Sequence, residues 1–348
     1  MRTKLPILRF ASGLLLALGL AWACSSTQFG GMLHPEASVV WPRGAHDPRV
    51  EVLFCYEGTS KPDGNRGFFS NINDWIIGDE EIRFMSPYGM ALAEDGTLYV
   101  ADAGLAAVHA INFEAQTHKL LNGKGANALR TPIGVAIGPR GRIYVTDSST
   151  GRIHIFSADG TPAGTFGGPD ETGRPTGVAY DSFNNRLLVT DTTGGRVLVY
   201  SMDGELQQAF GNRGEESNQF NFPTNLAVDS SGQIFVVDTM NFRVQAFTPE
   251  FELVNSFGVG GDGPGAFARP KGIALDSEGH VYVVDALFDN IQIFTGQGEL
   301  LLPVGSKGSG FGGFFLPTGI MIDSRDRIFV ADAGNARIQV LQYRSLAE

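Results

Sequence analysis

The stretch PKGIALDSEGHVYVVDALFDNIQIF, from Pro270 to Phe294, decides how this chain folds. Ile273 and Leu275, Val281 and Val283, and Ile291 and Ile293 recur at two-residue spacing, the period of strands and not of helices. Ser277-Glu278-Gly279 is a turn signal between the first two runs, so the unit reads as consecutive antiparallel strands. The unit occurs six times. The other copies are PYGMALAEDGTLYVADAGLAAVHAI from Pro87, PIGVAIGPRGRIYVTDSSTGRIHIF from Pro132, PTGVAYDSFNNRLLVTDTTGGRVLVY from Pro175, PTNLAVDSSGQIFVVDTMNFRVQAF from Pro223 and PTGIMIDSRDRIFVADAGNARIQVL from Pro317. Successive prolines are 45, 43, 48, 47 and 47 residues apart, which makes one supersecondary unit per repeat.

A fourth strand follows in most units: GTPAGTFG from Gly160, GELQQAFG from Gly204, FELVNSFG from Phe251 and GELLLPVG from Gly298. Four strands at this period resemble a propeller blade, and six blades between about residue 87 and residue 343 predict an all-β, six-bladed β-propeller of four-stranded antiparallel blades. The last unit ends at Tyr343 with no room for a fourth strand, leaving a sheet edge of the kind proteins normally cover. Val50 to Tyr56 has strand alternation and belongs to no complete repeat, so it is expected to pair with the final blade and close the ring.

The pattern Pro-x-Gly-(Ile/Val)-Ala-(Val/Leu)-Asp, then Gly-x-(Ile/Val)-(Tyr/Phe)-Val-x-Asp, then Arg-(Ile/Val)-x-x-Phe resembles the NHL repeat, and Phe-Gly linkers such as FGVGGDGPGAFARP, from Phe257 to Pro270, strengthen the likeness. With its first residues and the stretch VVWPRGAHDPRVEVLF from Val39, the chain is similar to bacterial NHL-repeat lipoproteins. The resemblance implies the fold and says little about activity, because the same propeller carries many functions.

The beginning reads as a targeting segment. Arg2, Lys4 and Arg9 precede the apolar run Leu14 to Leu20, too short for a comfortable membrane span, and Ala21-Trp22-Ala23-Cys24 is a small-residue cleavage region. The expected organisation is a lipoprotein-type signal over 1–24, a tether over 25–48 and the propeller over 49–348. Cys24 would be the lipidated first residue, an ordinary cleaved secretory signal being the alternative. By analogy, Ser25 in place of Asp suggests an extracytoplasmic protein sorted to the outer membrane. Cys55, the other cysteine, is expected to be a small buried hydrophobe or else the disulfide partner of Cys24. Glu57 to Ser86 is a long connection in which one or two helical turns could end at Gly78, with Trp75 capping the closure seam. Net charge is −11, with Lys and Arg scattered, which excludes a footprint for nucleic acid.

The Val-x-Asp aspartates Asp102, Asp147, Asp191, Asp238, Asp285 and Asp332 suggest a ring of carboxylates, but four have an arginine five residues on: Arg152, Arg196, Arg243 and Arg337. Pairing across the turn, with backbone N–H groups also donating, is the expected structural role. Asp102 and Asp285 lack that arginine. His109 and His154 fall in third strands, His118 in a linker, His280 at a turn, and His34 and His46 in the tether, so none takes the Pro-x-Gly place where zinc-holding histidines of NHL-like lyases would converge. No Gly-x-Ser-x-Gly elbow or phosphate loop is present. No resident cofactor is expected, a channel cation such as calcium remaining open.

The first strand of a blade lies nearest the axis, so residues flanking each repeat proline should reach the channel mouth. They include Tyr88, Arg130, Ile133, Arg174, Thr176, Asn225, Arg269, Lys271 and Thr318, with Asn225 standing where five repeats have glycine. Tyr88, Arg130, Arg174, Asn225, Arg269 and Lys271 form the candidate ligand surface. The expected activity is that of a monomeric, membrane-anchored binding or scaffold module for a cell-envelope protein, peptide or glycan; the alternative is a metal-dependent lyase or lactonase-like propeller enzyme.

Overall fold

The computed structural model describes residues 31–44, 47–59, 81–123 and 125–344. Five blades are four-stranded antiparallel sheets, each built from consecutive strands in the order predicted. Blade one runs Pro87–Leu92, Thr97–Asp102, Ala107–Asn112 and Thr117–Leu121. The innermost strands of the next four blades are Pro132–Ile137, Pro175–Asp181, Pro223–Val228 and Pro270–Leu275. In each of these five strands the pairing register shifts immediately after the repeat proline. Such a bulge bends the strand and re-aims its side chains, and it lies where the strand enters the channel.

Blade six has Ile320–Ile322, Arg327–Asp332 and Arg337–Tyr343, and takes its fourth strand from the other end of the chain. Val50–Tyr56 pairs antiparallel to the last strand, Val50 opposite Tyr343 and Tyr56 opposite Ile338. The closing strand is itself covered. Met32–Leu33 pairs with its end and Val40–Trp41 with its beginning, so part of the stretch expected to be a tether is built into the sheet. The reason is the exposed edge the closing strand would otherwise leave, together with apolar Trp41, which is 6% exposed within the core between blades five and six. Cys24 and the rest of the signal-like segment, His46, Trp75 and Gly78 lie outside the described residues.

The core is six separate clusters, one at each junction between neighbouring blades. Leu98, Val100, Val340 and Tyr56 fill the junction of blades six and one, and Tyr99, Val108, Val145 and Phe156 that of blades one and two. Alternating residues of the middle strands face opposite neighbours, which explains why those strands are buried on both sides. The Phe-Gly linkers plug these junctions. Phe220, Phe267 and Phe314 are fully buried, and their rings rest on Gly211, Gly258 and Gly305, all at positive φ, where any Cβ would occupy the ring's position. The glycine of each linker is required twice, by conformation and by contact.

A candidate binding well at the channel mouth

Around the axis, the Pro-x-Gly glycines set the spacing between blades. A Cβ on Gly89 would lie 2.6 Å from the Ile133 carbonyl, one on Gly177 2.6 Å from the Asn225 Cα, and one on Gly272 2.6 Å from the Thr318 carbonyl. Gly134 abuts the Thr176 carbonyl and Gly319 the Tyr88 carbonyl in the same way, so five innermost strands meet the next through a glycine, and blade four, with Asn225 there, meets blade five through the Thr224 hydroxyl on the Lys271 carbonyl (3.2 Å). No sheet hydrogen bonds join the blades here. Threonine hydroxyls supply the link instead: Thr176 donates to the Thr224 carbonyl (2.9 Å), Thr192 to that of Pro223 (2.7 Å), Thr239 to that of Pro270 (2.8 Å) and Thr318 to that of Pro87 (2.7 Å). Thr146 donates to the Thr176 carbonyl. Without these donors, buried carbonyls would be costly to leave unpaired.

Above the glycine waist the channel opens into a well of about 310 Å³; below it lies a second space bordered by residues such as Val178, Leu226, Ile273 and Ile320. Gly89, Gly134 and Asn225 border both spaces. Asn225 therefore sits at the waist, its Oδ1 accepting from the Leu226 N–H at 2.9 Å. Five of the six residues expected at the mouth line the well: Tyr88, Arg174, Asn225, Arg269 and Lys271. Arg130 does not; its side chain is exposed away from the well, although its N–H donates to Asp147 at 2.6 Å. Sequence reasoning missed Phe222 and Met240 of blade four, which form an apolar wall, and Thr192, Thr224 and Thr239. Phe222 precedes a repeat proline directly and was within reach of the same positional rule.

The Lys271 ammonium stands 5.6 Å from the Tyr88 ring centroid, a cation–π distance. Burial, then the positive charges of Arg269 and Arg174, push its pKa down from 10.5 to about 8. None of these three cations has a carboxylate partner among the described residues, and no carboxylate lines the well. The neighbouring aspartates are committed elsewhere. Asp191 accepts the Arg174 N–H (3.1 Å) and pairs with Arg196 (3.0 Å); Asp285 accepts the N–H groups of Ala268 (2.7 Å) and Arg269 (3.0 Å). Each fixes the backbone beside a well arginine while leaving its guanidinium free.

The same structural role holds for all six Val-x-Asp aspartates, each of which accepts an N–H of the linker leading into its own blade. Arginine pairs with Asp191, Asp238 and Asp332 at 3.0, 2.9 and 2.8 Å. Blade two departs from the expected pairing: Arg152 reaches Thr165 (3.5 Å), and His154 stands over Asp147 at 3.9 Å. The residue seven after the aspartate explains the difference, being glutamine in blades four to six and histidine in blades one and two. Asp102 is correspondingly met by His109.

No described histidine lines the well. His118, expected in a linker, lies in the fourth strand of blade one, where it pairs with Ile111. It belongs to a chain of contacts at the closure seam: the Tyr56 hydroxyl lies 3.0 Å from His118 Nδ1, His118 Nε2 2.7 Å from His109 Nδ1, and His109 Nε2 3.2 Å from Asp102. One set of tautomers satisfies every contact, with Tyr56 donating to His118, His118 to His109 and His109 to Asp102. Cys55 is fully buried, its thiol 3.5 Å from Gln339 Oε1 and pushed by burial up to about 12.

Residues 129–156, 220–247 and 316–341 match the NHL repeat. No curated protein matches the chain in sequence. Among solved structures the chain is similar to virginiamycin B lyase from Staphylococcus aureus in a catalytically inactive histidine-to-alanine form with quinupristin (16% identity, TM-score 0.55, covering 74% of this chain and 95% of that one). It is also similar to an auxiliary nutrient binding protein from Bacteroides thetaiotaomicron (16% identity, TM-score 0.59, 75% and 70%) and to a luciferin-regenerating enzyme (16% identity, TM-score 0.56, 76% and 92%). At these identities the likeness is one of fold, and it spans both binding proteins and enzymes.

Proposed function

We propose that this six-bladed NHL-repeat propeller is a non-catalytic binding module that takes a protein, peptide or glycan partner at its channel mouth, and that a lipid on Cys24 holds it outside the cytoplasm. The observation that carries the reading is the well itself. It holds three cations without acidic partners in a chain of net charge −11, and no described histidine, cysteine or carboxylate lines it. Unpaired like charges gathered in one cavity cost stability, and such local conflict is expected where a ligand compensates for it. The likeness to a nutrient binding protein is consistent with this reading.

The competing enzyme reading draws on the likeness to the virginiamycin B lyase, whose histidine-to-alanine variant is catalytically inactive. In this chain the described histidines lie outside the well, and the well's charged groups suit an anion better than a metal cation. Replacing Arg174, Arg269 and Lys271 together by glutamate tests the binding reading. Capture of partners from native detergent extracts of the envelope is expected to be lost; recovery of the same partners would refute it. Stoichiometric zinc or calcium in the channel of the purified protein would favour the enzyme. Incorporation of labelled fatty acid, abolished by Cys24→Ser, is the expected result for the anchor.

A further inference from the structure

The well discriminates among ligands by the kind of polar group it offers. Arg174, Arg269 and Lys271 are donors only, and positively charged. The threonine hydroxyls of the ring spend their protons within it, Thr176, Thr192 and Thr239 each donating to a carbonyl of the next blade, so the charged donors offered to a ligand are the three cations. The well's apolar part is concentrated on blade four, where Phe222 and Met240 face the well, Met240 with 49% of its surface exposed. Blade four lies between the blades that carry Arg174 and Arg269, so the apolar wall is flanked by guanidinium groups on both sides.

From this arrangement we infer that the ligand is an organic anion with a compact apolar body: its charged head is held by Arg174, Arg269 and Lys271, and its body lies against Phe222 and Met240. This deepens the binding reading and rests on it. A carboxylate or a phosphate monoester would both meet the cations, and a peptide's C-terminal end with an apolar last side chain has the same chemistry as a small free acid. The volume of about 310 Å³ suits the head and one ring or short chain rather than an extended polymer. Lys271 gives the site a pH lever. The titratable or charged groups lining the well with it are Tyr88, Arg174 and Arg269. With its pKa near 8, Lys271 is charged at neutral pH and loses its proton as the pH rises through that value, so affinity for the anion falls on the alkaline side.

The experiment is calorimetric titration of the intact protein with 3-phenylpropionate, its neutral amide, acetate, phenyl phosphate and the peptide Gly-Gly-Phe. The acid is expected to bind at least tenfold more tightly than the amide, since a charge-assisted hydrogen bond alone is worth about one to two decades in affinity. Acetate is expected to bind far more weakly than 3-phenylpropionate. Phenyl phosphate and Gly-Gly-Phe distinguish the head and the source, and tight binding of either supports the inference. Lys271→Met is expected to reduce affinity at pH 7 and to remove the decline between pH 7 and pH 9.5. Arg174→Gln, an exposed change that leaves the ring intact, is expected to reduce affinity and, by removing a positive charge near Lys271, to move the decline towards higher pH. Equal affinity for acid and amide, lost in Lys271→Met, would overturn the anion assignment while leaving the well as a binding site. Failure of all five compounds to bind would overturn the organic-anion inference, while the binding reading is decided separately by partner capture with the charge-reversed protein.

Discussion

Lowering the pH should loosen the closure seam through one residue, His118. Burial, with His109 beside it, pushes the His118 pKa from 6.5 down to about 3, so the folded protein resists a proton that the unfolded chain accepts. Stability from this group is full above pH 6.5 and is lost progressively as the pH falls towards 3. At pH 5, about 1.5 pH units below the usual value at about 1.4 kcal/mol each, the loss is about 2 kcal/mol. Trp41, buried between blades five and six beside the closing strand, provides an intrinsic fluorescent reporter. Urea unfolding at pH 7.5 and pH 5 should show the wild type losing about 2 kcal/mol more than His118→Phe between the two pH values. His154 is also held below its usual pKa, mainly by burial, but it contributes to both proteins and cancels in the difference. If wild type and His118→Phe lose the same stability, the Tyr56–His118–His109–Asp102 chain is not the acid-sensitive element of the seam.

Three further outcomes follow from the packing. Phe267→Ala, which empties a fully buried junction site, should cost about 3–5 kcal/mol in chemical unfolding; a loss below 1 kcal/mol would mean that the linker collapses into the space. Gly319→Ala should be more damaging than Gly310→Ala on thermal unfolding, because the first meets the Tyr88 carbonyl and the second has nothing within 4 Å. Thr192→Val, which removes the donor to the Pro223 carbonyl, should destabilise by about 1–3 kcal/mol, and a neutral result would show that water replaces the hydroxyl.

The propeller was legible because its determinants are local and repeated. Each Pro-x-Gly marks an inner strand, each Val-x-Asp a turn, and the missing fourth strand after Tyr343 pointed to Val50–Tyr56. The site was legible only in outline. Sequence position located Tyr88, Arg174, Asn225, Arg269 and Lys271 at the mouth, since distance from the repeat proline fixes height along the axis. The same rule misplaced Arg130, because the direction of a long exposed side chain is not set by its backbone. The apolar wall was within reach of that rule at Phe222 but not at Met240, which the turn after a second strand brings to the well, and the threonine links depend on which carbonyl of the adjacent blade each hydroxyl meets. The Gly31–Trp41 edge cover was hidden because its strands are two-residue pairs, Met32–Leu33 and Val40–Trp41, separated by a stretch that begins His34-Pro35-Glu36 and too short to show alternation.

The pairing of Val50 with Tyr343 also governs when the molecule can be finished. A ribosome delivers the closing strand early and its partner late, so the strand must wait, with the backbone N–H and C=O groups of one edge unpaired, while every intervening blade is made. Short-range cover from Met32–Leu33 and Val40–Trp41 is available within moments of synthesis and can shield one edge of that strand during the delay. In this view the early ribbon halves the exposure of the closing strand, leaving open only the edge that the last strand of the ring will take.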